Sequence, residues 1–293
     1  LIPSFIHNLV PLYLSKLIYK KPTFIVGQTI GPLRTFLGKL FTKYILKKLN
    51  GIYVRERYSF DYLRKILNIN KNVNISGDLV FLLHESEAVM NYKNENIESF
   101  FTDNVKSIGI CLRKLIQFDY VFIVKIFKEF INYLLDSTDF VIFLYPQVID
   151  FSNDFHNDYN VLSALYNMCY KNNKRVILLN TLNWSIFDSI LFLNNLDFLI
   201  SMRLHPIIFK LVGRHKKHNF ISISHIYKFE GVLDDLKCYD RVIKIKELTL
   251  KELISKFNRL INTQPNFDKE IELIKHRIVK AIDNMVMKIG KMT

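Results

Sequence analysis

The stretch Asp197-Phe-Leu-Ile-Ser-Met-Arg-Leu-His-Pro206 reads as a buried strand that runs out at Arg203 and His205, followed by a helix with Pro206 in its first turn. Proline fits there because its fixed φ matches the helix and its missing N–H would find no partner in that turn anyway. In an open parallel sheet the crevice outside the carboxyl ends of the strands is the usual ligand site, and the N–H groups and dipole of the next helix favour an anion. Arg203 can fork onto a carboxylate or phosphate. His205 can move a proton near neutral pH. An isolated Arg-x-His reads as a surface arginine and a helix-capping histidine; the strand-end position is what makes this pair a candidate site.

Outward from that stretch, short apolar runs alternate with segments of helical period from Lys106 onward, the pattern of βα units on a parallel sheet. The expected strands are Ser107–Leu112, Asp139–Leu144, Arg175–Leu179, Asp197–Ile200, Asn219–Ile223 and Arg241–Ile245. They are rich in Ile, Val, Leu and Phe with little alternation, as expected when helices cover both faces. The helices expected between them are Tyr120–Leu135, Asn157–Lys171, Trp184–Asn194, Pro206–Val212 and Phe229–Leu236.

The first hundred residues repeat the pattern with fewer units. Helices are expected at Phe5–Tyr19, Thr35–Leu49 and Ser59–Leu67, and strands at Thr23–Val26, Gly51–Val54 and Val73–Ile75. The acidic, Asn-rich run from Glu85 to Asp103 breaks the periodicity and reads as an interdomain linker. Two amphipathic helices, Leu250–Ile261 and Phe267–Ile289, close the chain. The expected fold class is therefore α/β, with two Rossmann-like lobes of parallel sheet and flanking helices. Its divisions are an N-terminal lobe over 1–95, short enough to suggest truncation, a second lobe over 104–248 and packing helices over 249–293. The active site is expected in the cleft between the lobes, handling a small phosphorylated anion.

A chain of 293 residues suggests two domains, and 49% hydrophobic residues with 23% charged give each an ample core. The net charge of +14 suits a nucleic acid, an anionic membrane surface or an acidic substrate. Heavy use of Ile, Asn, Lys and Phe makes genome composition the simpler source of much of that charge, and the longest basic cluster, Arg214 to His218, is too short for a nucleic-acid-binding arm. No nucleic-acid partner is expected. Cys111, Cys169 and Cys238 are widely spaced and form no CxxC pair, which fits a reduced, cytoplasmic setting. No secretory signal or membrane span is expected, since uncharged runs such as Val176–Phe187 fall short of the roughly 18–20 apolar residues that cross a bilayer. The chain begins with Leu, so a missing true start is expected.

Ile108-Gly-Ile-Cys-Leu-Arg113 places Arg113 at a second strand end, on the rim that carries Arg203 if both strands share one sheet; two guanidinium groups suit a doubly anionic ligand. Alone, Arg113 reads equally as a solvated residue after a strand. Phe24-Ile-Val-Gly-Gln-Thr-Ile-Gly-Pro32 lies between a strand and a helix, with Gly27 and Gly31 permitting close backbone approach around Gln28. It matches neither GxGxxG nor GxxxxGK[ST]. Arg55, Asp78, Gln147 and Lys228 are weaker candidates, each more often capping or solvated. His84, His156 and His225 show no metal-ligand spacing and no serine lies in GxSxG, so neither a catalytic metal nor a covalent serine enzyme is expected.

Taken in order, GQTIGPL (Gly27–Leu33), VRERYSFDYL (Val54–Leu63), SGDLVFLL (Ser76–Leu83), GICLR (Gly109–Arg113), SMRLHPIIF (Ser201–Phe209) and SHIYKFEGVLDDL (Ser224–Leu236) resemble the polysaccharide pyruvyl transferase family. The resemblance runs from about residue 22 to 245. The family's N-terminal glycine-containing strand and loop has no counterpart here, and Thr29 stands where the family commonly has Gly or Ser. The resemblance implies a glycosyltransferase-B-like fold that moves a pyruvyl group from phosphoenolpyruvate onto two hydroxyls of a saccharide or lipid-linked saccharide, forming a ketal without a further cofactor. It implies Arg203 and His205 as catalytic, Arg113, Arg203, Leu204 and Lys228 as donor-binding, and Gly27, Gln28 and Gly31 as acceptor-binding. Such an enzyme would be cytoplasmic, with peripheral contact at the inner membrane surface as one use for its charge. The alternatives are a sugar-nucleotide glycosyltransferase of similar fold and a non-catalytic partner in polysaccharide assembly.

Overall fold

Two parallel sheets organise the chain in a computed structural model that describes residues 4–33, 35–102, 104–115, 118–153, 155, 157–213, 217–225 and 227–291, with 4–8, 169, 227 and 228 described by backbone alone. The first compact unit comprises Leu1–Leu82, Glu230–Lys237 and Asp268–Thr293; the second comprises Leu83–Phe229 and Cys238–Phe267.

In the first unit, helix α1 (Ser4–Tyr13), strand β1 (Phe24–Gln28), α2 (Phe36–Leu46), β2 (Gly51–Val54), α3 (Arg57–Asp61) and β3 (Val73–Ile75) follow one another. The strands form a three-stranded parallel sheet in the order β1-β2-β3. β2 is buried throughout, as its central place requires, and Ile52, Val54, Leu63, Leu67, Ile69 and Val73 pack into one core.

The second unit starts with α4 (Glu87–Met90) and α5 (Glu95–Glu98), inside the segment expected to be a linker. That expectation fails because the segment carries apolar anchors among its acids. Val89 and Ile97 are buried, and Phe100 and Phe101 meet Phe143 and Phe192 with ring centroids 5.2–6.0 Å apart. Tyr92 and Asn94 both donate to the Asp188 carboxylate, at 2.6 and 2.7 Å.

The alternating units then follow as β4 (Ser107–Cys111), α6 (Tyr120–Ser137), β5 (Val141–Leu144), α7 (Asp158–Cys169), β6 (Val176–Leu178), α8 (Ile186–Asn195), β7 (Phe198–Ser201), α9 (Leu204–Val212), β8 (Phe220–Ser224), α10 (Tyr227–Asp235), β9 (Val242–Lys244) and α11 (Leu250–Ile261), except that α10, expected within the second lobe, belongs from Glu230 onward to the first unit. The six strands are parallel in the order β6-β5-β4-β7-β8-β9. β4, β7 and β8 are buried at every position, which is why their sequences lack alternation.

The two closing helices, grouped on sequence, divide between the units. Phe257 of α11 packs edge-on to Phe130 of α6 in the second unit. The last helix, α12 (Asp268–Gly290), belongs to the first: Arg277 forks onto Asp235 at 2.7 and 3.2 Å, and Ile274 and Ile278 lie against Gly77. Among the described residues no helix is long and apolar enough to cross a membrane.

Gly27 and Gly31 both have positive φ, +64° and +91°. At Gly27 the β1–β2 register shifts between Val26 and Gln28, and a Cβ at Gly31 would lie 2.5 Å from the Tyr62 ring. Gly31→Ala should therefore combine backbone strain with a steric clash and lower unfolding free energy by about 1–3 kcal/mol in urea titration. Gly290→Ala, with nothing within 4 Å of the new Cβ, should stay within about 0.5 kcal/mol of the parent.

Candidate active site

The chain begins the second sheet in its middle, builds outward through β5 and β6, and then crosses back to place β7 on the other side of β4. The carboxyl ends of β4 and β7 therefore flank the switch point at which open α/β sheets bind ligands. Cys111 and Ser201 are register partners in this pair, so Arg113 and Arg203 each stand two residues beyond matched positions. The expectation that both arginines share one rim is met.

Arg203 is held rigidly. Asp158, the first residue of α7, takes its Nε on both carboxylate oxygens at 3.0 and 3.2 Å and its Nη2 on Oδ1 at 2.6 Å. The carboxylate also accepts the Val148 N–H at 3.1 Å, and its side chain is 1% exposed against 16% for Arg203. Burial raises the Asp158 carboxyl above its ordinary value even though the guanidinium fork pulls it down. Ser201 Oγ ties the arginine backbone from both sides, accepting the Arg203 N–H at 3.0 Å and donating to its carbonyl at 2.7 Å.

Arg113 is half-buried, and its Nε has no hydrogen-bond partner among the described residues. Burial first, and then the Arg203 charge, push its guanidinium below the ordinary arginine value. His225, one residue past β8, has a buried Nδ1 without a partner among the described residues. Burial, then Arg113 and Arg203, push its imidazole down to about 4. Cys111 sits beneath this cluster as an inert thiol, pushed up to about 12 by burial and by the Asp158 charge. The constellation thus offers two cations against one carboxylate, beside a neutral imidazole, an environment that receives an anion.

His205 is the second residue of α9 and exposed, with its ring 6.0 Å from Phe209 one turn on. Leu204 opens that helix and is buried, while Arg203 caps it without a side-chain hydrogen bond to the helix. The Lys228 side chain lies outside the described residues, as do His156 and the basic residues Arg214, His215 and Lys216.

Gly27, Gln28 and Gly31 belong to the first unit. Gln28 and Gly31 line a cavity of about 560 Å³ whose walls are otherwise mostly aliphatic, among them Leu12, Ile25, Val26 and Leu46. The turn is fixed by the VRERYSFDYL segment (Val54–Leu63). Thr29 Oγ1 donates to Glu56 at 3.0 Å, the Ile30 N–H to Ser59 Oγ at 2.8 Å, and the Leu33 N–H to the Tyr62 hydroxyl at 2.9 Å. Glu56 is fully buried. Arg55 and Asp78, two of the weaker candidates, pair with each other at 3.1 Å. Gln147 follows β5, and its side-chain carbonyl accepts from the Tyr145 hydroxyl at 3.3 Å.

The family model of the polysaccharide pyruvyl transferases matches residues 4–209. The chain belongs to that family. It is accordingly a transferase, and the matched span holds both arginines, the glycine turn and the Arg55–Asp78 pair. No curated protein matches it by sequence. Solved structures reveal the fold. A putative UDP-N-acetylglucosamine 2-epimerase from Listeria monocytogenes is similar with TM-score 0.61 and 11% identity, over 92% of this chain and 70% of that one. The corresponding epimerase from Methanocaldococcus jannaschii gives TM-score 0.60 and 15% identity, over 93% and 72%. A glycosyltransferase from Rickettsia africae gives 0.55 and 12%, over 98% and 80%. This pyruvyl transferase family member therefore has a glycosyltransferase-B-like fold of parallel sheets with flanking helices.

Sequence reading missed two members of the cluster. His225 carried a usable signal, since it directly follows a buried strand of the same sheet. Asp158 carried none, because it opens a helix and reaches Arg203 only through the packing of α7. The folded His225 value lies below the ordinary 6.5, so the fold favours the neutral ring. Its contribution is complete above about pH 6.5 and is lost as pH falls toward 4, where the unfolded chain takes up a proton that the folded chain refuses. Unfolding free energy should therefore drop on acidification across that window, and His225→Asn should flatten the drop relative to the parent in denaturant titrations.

Proposed function

We propose that the chain transfers the pyruvyl group of phosphoenolpyruvate to two hydroxyls of a saccharide or lipid-linked saccharide, forming a ketal and releasing inorganic phosphate. The observation that carries the reading is the pair Arg113 and Arg203 at matched positions beyond β4 and β7. Phosphoenolpyruvate has two anionic groups, a carboxylate and a phosphate ester, and two guanidinium groups match them in number and sign.

In this reading one acceptor hydroxyl adds to C2 of the donor while a proton is delivered to the methylene carbon, which becomes the methyl group. The C2–O bond to phosphate breaks, the phosphate leaves with the bonding pair, and the second hydroxyl closes the ketal as its proton passes to phosphate or a base. Arg113 and Arg203 hold the donor anions and stabilise charge on the departing phosphate. Leu204 contributes backbone at the start of α9, and Lys228 is the remaining donor-side candidate. Asp158 orients Arg203. His205, exposed on the first turn of α9, is the candidate proton carrier. His225 stays neutral, by burial and then by the two cations beside it, which suits it to accept a hydrogen bond. Gly27, Gln28 and Gly31 form the proposed acceptor side.

Arg113 separates ligand binding from folding. Its buried Nε and the repulsion from Arg203 cost the free protein stability, whereas Arg203→Ala would strand a buried carboxylate and cost about 3–5 kcal/mol. Arg113→Ala should therefore match or exceed the parent in melting temperature without ligand, yet lose the rise that millimolar phosphoenolpyruvate gives the parent. No rise in the parent with phosphoenolpyruvate, together with a rise from a nucleotide sugar, would replace the proposal with glycosyl transfer. His205→Ala should retain the donor-induced rise and lose phosphate release in the presence of acceptor.

A further inference from the structure

The first 55 residues contain nine Lys or Arg and no Asp or Glu, so most of the chain's net charge of +14 is concentrated there. The same stretch has an unusual distribution of apolar surface. Helix α2 buries Gly38, Thr42, Ile45 and Leu46 against the first unit. The opposite face, which a water-facing helix would make polar, carries Phe36, Leu37, Leu40, Phe41 and Tyr44. Phe36 and Leu37 are 73% and 77% exposed. At 3.6 residues per turn these five side chains span an arc on the order of 140°.

Lys39, Lys43 and Lys47 repeat every four residues along one flank of that arc, and Lys48 lies over the Tyr44 ring at 5.8 Å. The apolar face continues onto the preceding helix. Tyr13 and Phe41 stack with ring centroids 6.4 Å apart, and Val10, Leu14, Ile18 and Tyr19 are exposed beyond them, followed by exposed Lys20 and Lys21.

Contiguous apolar surface of this kind marks an interaction site. Its chemistry selects the partner. A second copy of the chain would set one lysine flank against another, and with no acid in the first 55 residues nothing on this surface would offset the repulsion. An anionic lipid surface matches both parts: aromatic and aliphatic side chains enter the headgroup boundary while lysines reach the phosphates. We infer that the α1–α2 face of the first unit docks in the plane of an anionic membrane through Phe36, Leu37, Leu40 and Tyr44, with Lys39, Lys43 and Lys47 at headgroup level. The inference is independent of the chemistry proposed for Arg113 and Arg203.

The test is co-sedimentation of the full chain with vesicles of phosphatidylcholine containing phosphatidylglycerol, against vesicles of phosphatidylcholine alone. The expected result is binding to the anionic vesicles that weakens as salt rises. Phe36→Ser with Leu37→Ser, and separately Lys39→Gln with Lys43→Gln, should each reduce that binding on the order of tenfold without lowering the melting temperature. As a gain-of-signal measurement, Phe36→Trp should add an emission component that shifts to the blue with anionic vesicles and stays unshifted with neutral ones. Absence of binding by the parent chain would overturn the inference. So would equal binding by both double variants, or a concentration-dependent dimer that Phe36→Ser with Leu37→Ser dissolves while no vesicle binding is seen. Phosphoenolpyruvate-induced stabilisation is read separately, so failure of either proposal leaves the other standing.

Discussion

The parallel pairing of β4 with β7 governs this protein's candidate chemistry. The chain lays down β4 first, leaves it by one edge through α6 and β5, and after β6 returns to its other edge as β7. Because the two strands are parallel and Cys111 faces Ser201, whatever follows them leaves the sheet at the same level and in the same direction. Two arginines two residues further on are thereby brought to one rim. Residues ninety positions apart in sequence act on one volume of space because hydrogen-bond register, a backbone property, places them there.

The rest of the second unit supports that rim. Burial of β4, β7 and β8 on both faces fixes their ends, and α7 delivers Asp158 to Arg203 with three short contacts. The resulting cluster stores electrostatic tension: Arg113 is partly desolvated beside a like charge, and His225 is held neutral by burial first and then by two cations. In the proposed donor complex, an anion between the guanidinium groups would offset the charge part of both.

The first unit makes a different use of its residues. The VRERYSFDYL segment ties down the glycine turn through Glu56, Ser59 and Tyr62, so the turn's shape is set by hydrogen bonds from a neighbouring strand end and helix rather than by its own sequence. Thr29 is accommodated in that turn because its hydroxyl donates to the buried Glu56. Alternation of charge and apolar surface on α2 is dictated by helical period alone, yet only packing decides which of its two apolar faces enters the core. Gly38 and Thr42 sit on the buried one, with Ile45 and Leu46.

The sequence by itself determined the secondary structure and its class, because buried parallel strands and amphipathic helices impose periodicities of composition that survive without any tertiary information. Strand-end logic likewise placed Arg113 and Arg203 at the ends of neighbouring strands, and ordered motifs made the family legible. Composition misled at Glu85 to Asp103, where scattered acids outweighed Val89, Ile97, Phe100 and Phe101 in the reading but not in the packing. Only the tertiary structure decided the order of the strands, the capture of Arg203 by Asp158, the neutrality of His225 and the division of the last two helices between the units. Each of these depends on contacts between residues distant in sequence. Such contacts are set by which surfaces find burial together, and local pattern carries no record of that choice.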